Sequence, residues 1–472
     1  MELSEASIRE LVEQVLSGLG ARAGAAAGSG SGPGVFTDME SAIGAARRAQ
    51  GELMSMTLEA RQRMVAAMRQ AALANLEQMA RLAVEETGMG RVADKALKNR
   101  VATERTPGTE DLVPVSYTDD HGLTLVERAP YGVVGSITPS TNPTATILNN
   151  AIGMLAAGNS VVFNPHPAAK RVSAFTIGML NQAIQGAGGP PNLLAMVAEP
   201  TIESAQKLFE HPGISLLVVT GGPAVVKAAM RSAKKVIAAG PGNPPVVVDE
   251  TADLAKAGRD IVAGASFDNN VICIDEKEVL AVSTIADALK AEMKRHGAHE
   301  LNAEQTDRVT RLAIADAGRP GHEGAANKAY VGKDAAVIAR AIGVEVPGET
   351  RILLCEVGRD HPLVWTEQLM PVLPLVRVAS ADEGIDLALA CEQGFRHTAV
   401  MHSRNIEKLS RMAKVMNCSL FVKNGSAFNG LGCGGAGFTS WTIASPTGEG
   451  LTRASTFSRE RRCSLIDYFR IV

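Results

Sequence analysis

Aromatic residues are scarce in this 472-residue chain: 4%, within a hydrophobic total of 46%. Its cores must therefore be built from Ala, Val, Ile, Leu and Met. Charge of one sign is also missing. Lys and Arg number 47 against 50 Asp and Glu, a net charge of -3. No basic cluster interrupts that balance, so nucleic acid is not an expected partner. Six cysteines (273, 355, 391, 418, 433 and 463) include no CxxC pair and share no metal-type spacing with the nine histidines. Neither a disulfide framework nor a metal site is expected. No apolar run approaches the roughly 20 residues that span a bilayer, so no membrane contact is expected. The start, Met1-Glu2-Leu3-Ser4-Glu5, lacks the basic and apolar regions of a secretory signal. Free thiols in a reducing cytoplasm are the economical expectation.

What is present is modular. Ile8, Leu11, Val12, Val15, Leu16 and Leu19 recur at helical spacing, with Glu2, Glu5, Glu10 and Glu13 among the polar positions. This predicts a short amphipathic helix over 1–20. Residues 21–35 are mostly Ala, Gly, Ser and Pro and read as a flexible linker. An apolar helix face on a tether invites a protein partner. From 36 to about 99 the pattern is helical. Leu123–Arg128 alternates as a strand does. After Pro130, strands at 133–137, 160–164, 194–197 and 215–219 alternate with helices at 143–157, 171–187, 202–210 and 224–233. A second such run starts near Pro245, with strands at 246–248, 278–282, 353–355, 373–378 and 419–422 and helices at 254–267 and 285–296. The alternation predicts an α/β protein: two parallel, Rossmann-type layers with a cleft between them.

Two segments carry chemistry. Cys273 lies in Ser266-Phe267-Asp268-Asn269-Asn270-Val271-Ile272-Cys273-Ile274-Asp275-Glu276-Lys277. A thiol between two apolar residues, on a loop between packed elements, suits a nucleophile; taken alone, a buried inert cysteine is the commoner fate. The stretch Ala238-Ala239-Gly240-Pro241-Gly242-Asn243-Pro244-Pro245 lacks any carboxylate. A thiol that forms an acyl-enzyme with no base to activate water should pass its acyl group to something other than water. Val218-Val219-Thr220-Gly221-Gly222-Pro223 runs from a strand through a glycine turn into a helix, a place for a phosphate. Gly430-Leu431-Gly432-Cys433-Gly434-Gly435 fits GxGxxG. It has no helical pattern after it and reads as a loop near the site mouth. Cys433 is the rival nucleophile.

In order along the chain, these segments resemble the aldehyde dehydrogenase superfamily over about residues 37–472. The matching stretches are Ile137-Thr138-Pro139-Ser140-Thr141-Asn142-Pro143, Val162-Phe163-Asn164-Pro165, Val219-Thr220-Gly221-Gly222, Ala239-Gly240-Pro241-Gly242-Asn243, Cys273, and Glu367-Gln368-Leu369-Met370-Pro371. The departures are informative. The glutamate base of hydrolytic members falls at Ala239. Their adenosine-side lysine and glutamate fall at Asn164 and Pro167. Those departures look like the CoA-acylating branch, especially the acetaldehyde and propionaldehyde dehydrogenases of bacterial microcompartments, which also carry N-terminal encapsulation helices.

The resemblance implies an NAD-dependent enzyme with coenzyme A as co-substrate, turning a short aldehyde into its acyl-CoA through a Cys273 thioester. It implies that Asn142 and the Cys273 backbone N–H hold the oxyanion; here the amide is displaced one place from the usual register. Thr138, Pro139, Asn164, His166, Pro167, Gly221, Gly222, Gly242, Glu367 and Leu369 would line the cofactor groove, with Glu367 on the nicotinamide ribose. His166 and His397 are pocket candidates or ordinary hydrogen-bonded histidines. With Pro167 in place of a ribose-reading carboxylate, the residues do not choose between NAD and NADP. The expected layout is a nucleotide-binding domain (36–114 and 130–242), a catalytic domain (243–445) and oligomerisation strands (115–129 and 455–472), giving a dimer or tetramer. Residues 1–20 would bind a shell or cargo protein of the microcompartment. The rival functions are a hydrolytic aldehyde dehydrogenase, an acyl-phosphate reductase, and a non-catalytic microcompartment cargo or scaffold protein. Deleting residues 1–20 is expected to leave turnover intact while dispersing the enzyme from its compartment, which fractionation with activity assay would report.

Overall fold

The computed structural model describes residues 32–472; the helix expected over 1–20 and most of the linker lie outside them. Two parallel sheets organise the described chain. The first has six strands in the order Val35–Phe36, Leu194–Val197, Ser160–Pro165, Val133–Thr138, Leu216–Thr220 and Lys235–Ala239. The second has seven: Ala298–Leu301, Ile352–Glu356, Val372–Val378, Glu278–Val282, Pro245–Val248, Thr398–His402 and Leu420–Lys423.

The strands read as near-continuous apolar runs because both faces are covered. Side chains alternate across a strand, so each sequence splits between two cores. Val133, Ile137, Val162, Val197, Leu217 and Val219 pack with Met39, Ile43, Leu208 and Phe209 of helices Met39–Met54 and Ile202–Glu210. Val134, Val161, Phe163, Met196, Leu216 and Val218 face the opposite way, into a core containing residues of helices Leu58–Ala74, Pro143–Ala156 and Lys170–Gly186. That core continues into the second sheet through Val246, Val248, Val279, Ala281 and Leu375. One apolar body thus underlies both sheets. The far face of the second sheet packs against helices Ala381–Cys391 and Ile406–Met416.

Val115–Asp119, Gly122–Pro130 and Ser458–Ile466 form a separate antiparallel ribbon. Its outer strands leave Val115, Tyr117, Leu465 and Ile466 exposed. No helix among the described residues is long and apolar enough to cross a membrane.

The α/β class and the main alternation are as the sequence implied. Three differences have plain causes. The helical stretch from 36 to 99 begins with the edge strand Val35–Phe36 and then breaks into Met39–Met54, Leu58–Ala74, Leu76–Thr87 and Val92–Arg105. Thr57 caps one break, accepting from the Ala60 N–H, and Gly88 takes a left-handed φ of 66° at another. Strands Lys235–Ala239, Ala298–Leu301 and Thr398–His402 gave no strand signal, being short and flanked by charged or polar residues. The helix expected to run to Phe267 stops at Ala265, and Phe267–Asn270 form a separate tight turn.

Phe163 is fully buried in the shared core. Phe163→Ala is expected to cost about 3–5 kcal/mol of stability, read as a lower midpoint in urea unfolding.

Candidate active site

The loop that carries Cys273 starts from an unusual backbone. Asp268, Asn269 and Asn270 have φ of 46°, 57° and 64°. Three consecutive non-glycine residues in the left-handed region are costly, and asparagine and aspartate tolerate it best. Such a turn persists only when its surroundings over-determine it. Here every side chain is spent on that task. Asn270 donates to Ala265 O (2.7 Å) and Glu276 O (3.0 Å). Asn269 donates to Gly332 O and Asp334 Oδ1, both at 2.9 Å, and accepts from Arg91 Nε at 3.0 Å.

Asp268 is completely buried and bonded entirely from helix Val92–Arg105 and its cap. Arg91 N donates to its Oδ1 at 2.6 Å. Lys95 Nζ (2.8 Å) and Lys98 Nζ both donate to its Oδ2. Asp94 Oδ2 accepts from the Asp268 N–H at 3.0 Å. Lys95 and Lys98 are themselves buried. Burial and the neighbouring Lys98 charge pull the Lys95 pKa down to about 8. Thus helix Val92–Arg105 grips the loop before Cys273 by a desolvated cluster of two cations and one anion.

Asn142 joins the same cluster. It is buried and precedes Pro143, the first residue of helix Pro143–Ala156. Its Oδ1 accepts from Lys98 Nζ at 2.5 Å. Its Nδ2 faces Thr141 Oγ1 at 3.2 Å and the Val271 carbonyl at 3.5 Å, two residues before Cys273.

Cys273 retains some exposed surface between the turn and strand Glu278–Val282. Its thiol is pushed up to about 12, mainly by burial and then by the Glu367 and Asp275 carboxylates, with Lys277 acting in the opposite sense. Lys277 is buried and donates to Asn270 Oδ1 (2.6 Å), Ile272 O (3.1 Å) and Asn270 O (3.2 Å). Glu367 is raised to about 7 by burial and receives the Gly242 N–H at 3.4 Å. A Cβ on Gly242 would lie 2.7 Å from Cys273 O and 3.0 Å from the His397 ring, so only glycine fits there. His397 is buried and held neutral, its pKa lowered to about 4 by burial. One ring nitrogen meets Thr398 Oγ1 at 2.9 Å and the other, Nε2, has no partner.

On the nucleotide side, the expected residues converge on one end of one sheet. Thr138 ends the central strand and Pro139 follows it. Asn164 lies at the end of the next strand, with His166 and Pro167 in the turn beyond. Gly221 and Gly222 leave the strand on the other side and open helix Pro223–Met230. The chain steps outward from the central strand through Ser160–Pro165 and Leu194–Val197, then returns to its opposite side with Leu216–Thr220. Ligands of open α/β sheets bind outside the carboxyl ends at such a switch point. The buried Thr138 Oγ1 has no partner there, and open space surrounds the helix start at Gly222. These residues fit a dinucleotide. Asn164 already accepts from Ser204 Oγ at 2.5 Å, so half of its amide serves the fold. Leu369 uses its carbonyl to hold the Gly332 N–H at 2.9 Å, which braces the nucleophile turn. Ala239 ends strand Lys235–Ala239 and is buried.

Cys433 is half-buried, its thiol pushed up by burial. A short 3-10 turn precedes its glycine segment and no helix follows, so the GxGxxG match has no dinucleotide geometry. Lys95, Lys98, Asp268 and Lys277 escaped the sequence reading. A signal existed: positions 95, 98, 99 and 102 form one helical stripe, and three of the four are polar where a core-facing stripe should be apolar.

Two parallel α/β layers, one with a switch-point crevice at the carboxyl ends of its strands, are the architecture of a dinucleotide-dependent oxidoreductase. Residues 35–438 match the Aldehyde dehydrogenase family, and the chain belongs to it. It is 55% identical over 446 residues to an acetaldehyde dehydrogenase (acetylating) of Bilophila wadsworthia, covering 93% of this chain and 91% of that one. A Rhodopseudomonas palustris propionaldehyde dehydrogenase, solved with bound CoA and an acylated cysteine, superposes with a TM-score of 0.89 at 48% identity, over 92% of this chain and 98% of that one. A propionaldehyde dehydrogenase from the Clostridium phytofermentans fucose utilisation microcompartment gives 0.90 at 46%, over 93% and 100%.

Since the Glu367 charge opposes thiolate formation, Glu367→Gln should lower the Cys273 pKa. The rate of inactivation by iodoacetamide at pH 8 is expected to rise roughly 3- to 10-fold.

Proposed function

We infer that this chain is a CoA-acylating aldehyde dehydrogenase, interconverting a short aldehyde, NAD+ and CoA with acyl-CoA and NADH. The observation that carries this reading is a partly exposed Cys273 on a braced loop whose Val271 carbonyl meets Asn142, with Ala239 where the resemblance puts the base of hydrolytic members.

The partly exposed Cys273 thiol gives its proton to solvent, its sulfur bonds to the aldehyde carbon, and the carbonyl π pair moves to oxygen. The Asn142 amide and the Cys273 N–H receive that oxyanion. When bound, the nicotinamide supplies an acceptor for the hydride that leaves carbon. As the C=O re-forms, a thioester remains on Cys273. Glu367 sets the acidity of the thiol by its charge; protonating it, which its pKa near 7 permits, removes the opposing field. In the second half, the CoA sulfur attacks the thioester and Cys273 leaves as thiolate. The departing Cys273 sulfur, whose pKa is pushed up to about 12, takes the proton that the CoA thiol gives up. Thr138, Gly221 and Gly222 serve the phosphate side of the crevice. CoA and NAD share an ADP-like portion, so one groove can seat each in turn.

Assembly belongs to the same proposal. The exposed ribbon of Val115–Asp119, Gly122–Pro130 and Ser458–Ile466 offers apolar side chains and an unpaired edge, suited to a second copy. The microcompartment source of the Clostridium relative, with the helical spacing of residues 1–20, supports an enzyme housed in such a compartment.

Cys273→Ala is expected to abolish acyl-CoA formation. The native enzyme should give at most a stoichiometric burst of NADH without CoA and steady turnover with it, followed at 340 nm. Sustained free-acid production without CoA would establish the hydrolytic alternative instead.

A further inference from the structure

An amide side chain has an acceptor end and a donor end that look alike in shape, and catalysis by Asn142 depends on which end faces the carbonyl. Lys98 decides it. An ammonium group has donors only, so the Asn142 atom at 2.5 Å from Lys98 Nζ must be the oxygen. The NH2 end is thereby turned toward the nucleophile loop, where its listless contact with Val271 O at 3.5 Å leaves a hydrogen free for a stronger acceptor. Lys98 is in turn fixed by Asp268, and the Trp441 ring lies 5.9 Å from its Nζ. Lys95 is tied to Asp268 and to the Thr141 carbonyl at 3.0 Å, which anchors the residue next to Asn142. Two lysines against one aspartate leave the cluster with a surplus positive charge when both are protonated. That charge sits on the acceptor end of the Asn142 amide, where it polarises the N–H bonds at the other end.

We propose that Lys98 is a positioning residue for the reaction: it locks and polarises the Asn142 amide as an oxyanion donor, while its bond to Asp268 ties that amide to the Cys273 loop. The lysine touches neither aldehyde nor cofactor. Its effect must therefore pass through Asn142, and the two residues should behave as one unit in a double-mutant cycle.

This inference rests on Asn142 receiving the oxyanion, and Asn142→Ala alone tests that premise. The loss expected for an oxyanion donor is on the order of 10²–10³ in kcat; an unchanged kcat would remove the premise and leave Cys273 chemistry standing. For Lys98→Met, kcat is expected to fall about 10- to 100-fold with the KM for aldehyde nearly unchanged, because the defect lies in the transition state. Lys98→Arg, whose guanidinium can donate to both Asp268 and Asn142, should recover a large part of the loss. In the Asn142→Ala background, Lys98→Met should cost less than about 3-fold more.

Iodoacetamide modification of Cys273, which forms no oxyanion, should proceed at close to the native rate in Lys98→Met. The same factor lost with and without Asn142 would overturn the proposal. So would a parallel loss of alkylation, which marks mere collapse of the loop. If Lys98→Met does not fold, Lys98→Gln fills the same space without charge and takes its place in the cycle, with the same outcomes deciding.

Discussion

One buried carboxylate holds this enzyme's working parts in register. Asp268 is fully desolvated, yet it meets Lys95, Lys98 and the Arg91 N–H of helix Val92–Arg105 and its cap. Removing Asp268 would leave two buried cations uncompensated, typically a loss of about 3–5 kcal/mol, a large part of a protein's margin of stability. The energy is put to a particular use. It holds three successive left-handed residues that no local preference would keep, and it sets Cys273 at the end of them. Since the grip comes from helix Val92–Arg105, whose Lys98 lies 170 residues away in the chain, the position of the thiol depends on how that helix packs.

The electrostatics around the thiol follow from the same packing. A cysteine in a water-excluded site is a poor acid, and Glu367 and Asp275 make it poorer. Lys277 opposes them, and it spends its three protons on loop carbonyl and amide oxygens. In the ligand-free state the sulfur is therefore kept as a thiol, protected from adventitious electrophiles. Its reactivity is conditional on changes in the charges nearby, and Glu367 titrates near neutrality. The Cys273 carbonyl, the His397 ring and the Glu367 carboxylate all come close to Gly242, where a Cβ would not fit.

The ordering of the reaction is written into what the site omits. With Ala239 buried at the end of its strand, no carboxylate from that segment reaches the acyl group. The thioester must wait for a better nucleophile than water, and a thiol is one.

The linear chain by itself determined a good deal. Alternating apolar runs and helical stripes announced two parallel layers, because burial on both faces imposes that pattern on every strand. Cys273, the glycine turn at Gly221–Gly222 and the missing carboxylate near Ala239 were visible as residue types in order along the chain. The tertiary structure decided the rest. Asn164 and Leu369 turned out to share their polar groups with the scaffold, at Ser204 and Gly332, which spacing cannot reveal. Lys95 and Lys98 looked like ordinary helix lysines, and only the approach of Asp268 from 170 residues away turned them into a buried cluster. Burial and charge pairing belong to the packed molecule: a lysine's environment is set by whatever folds against it, and no local pattern encodes that.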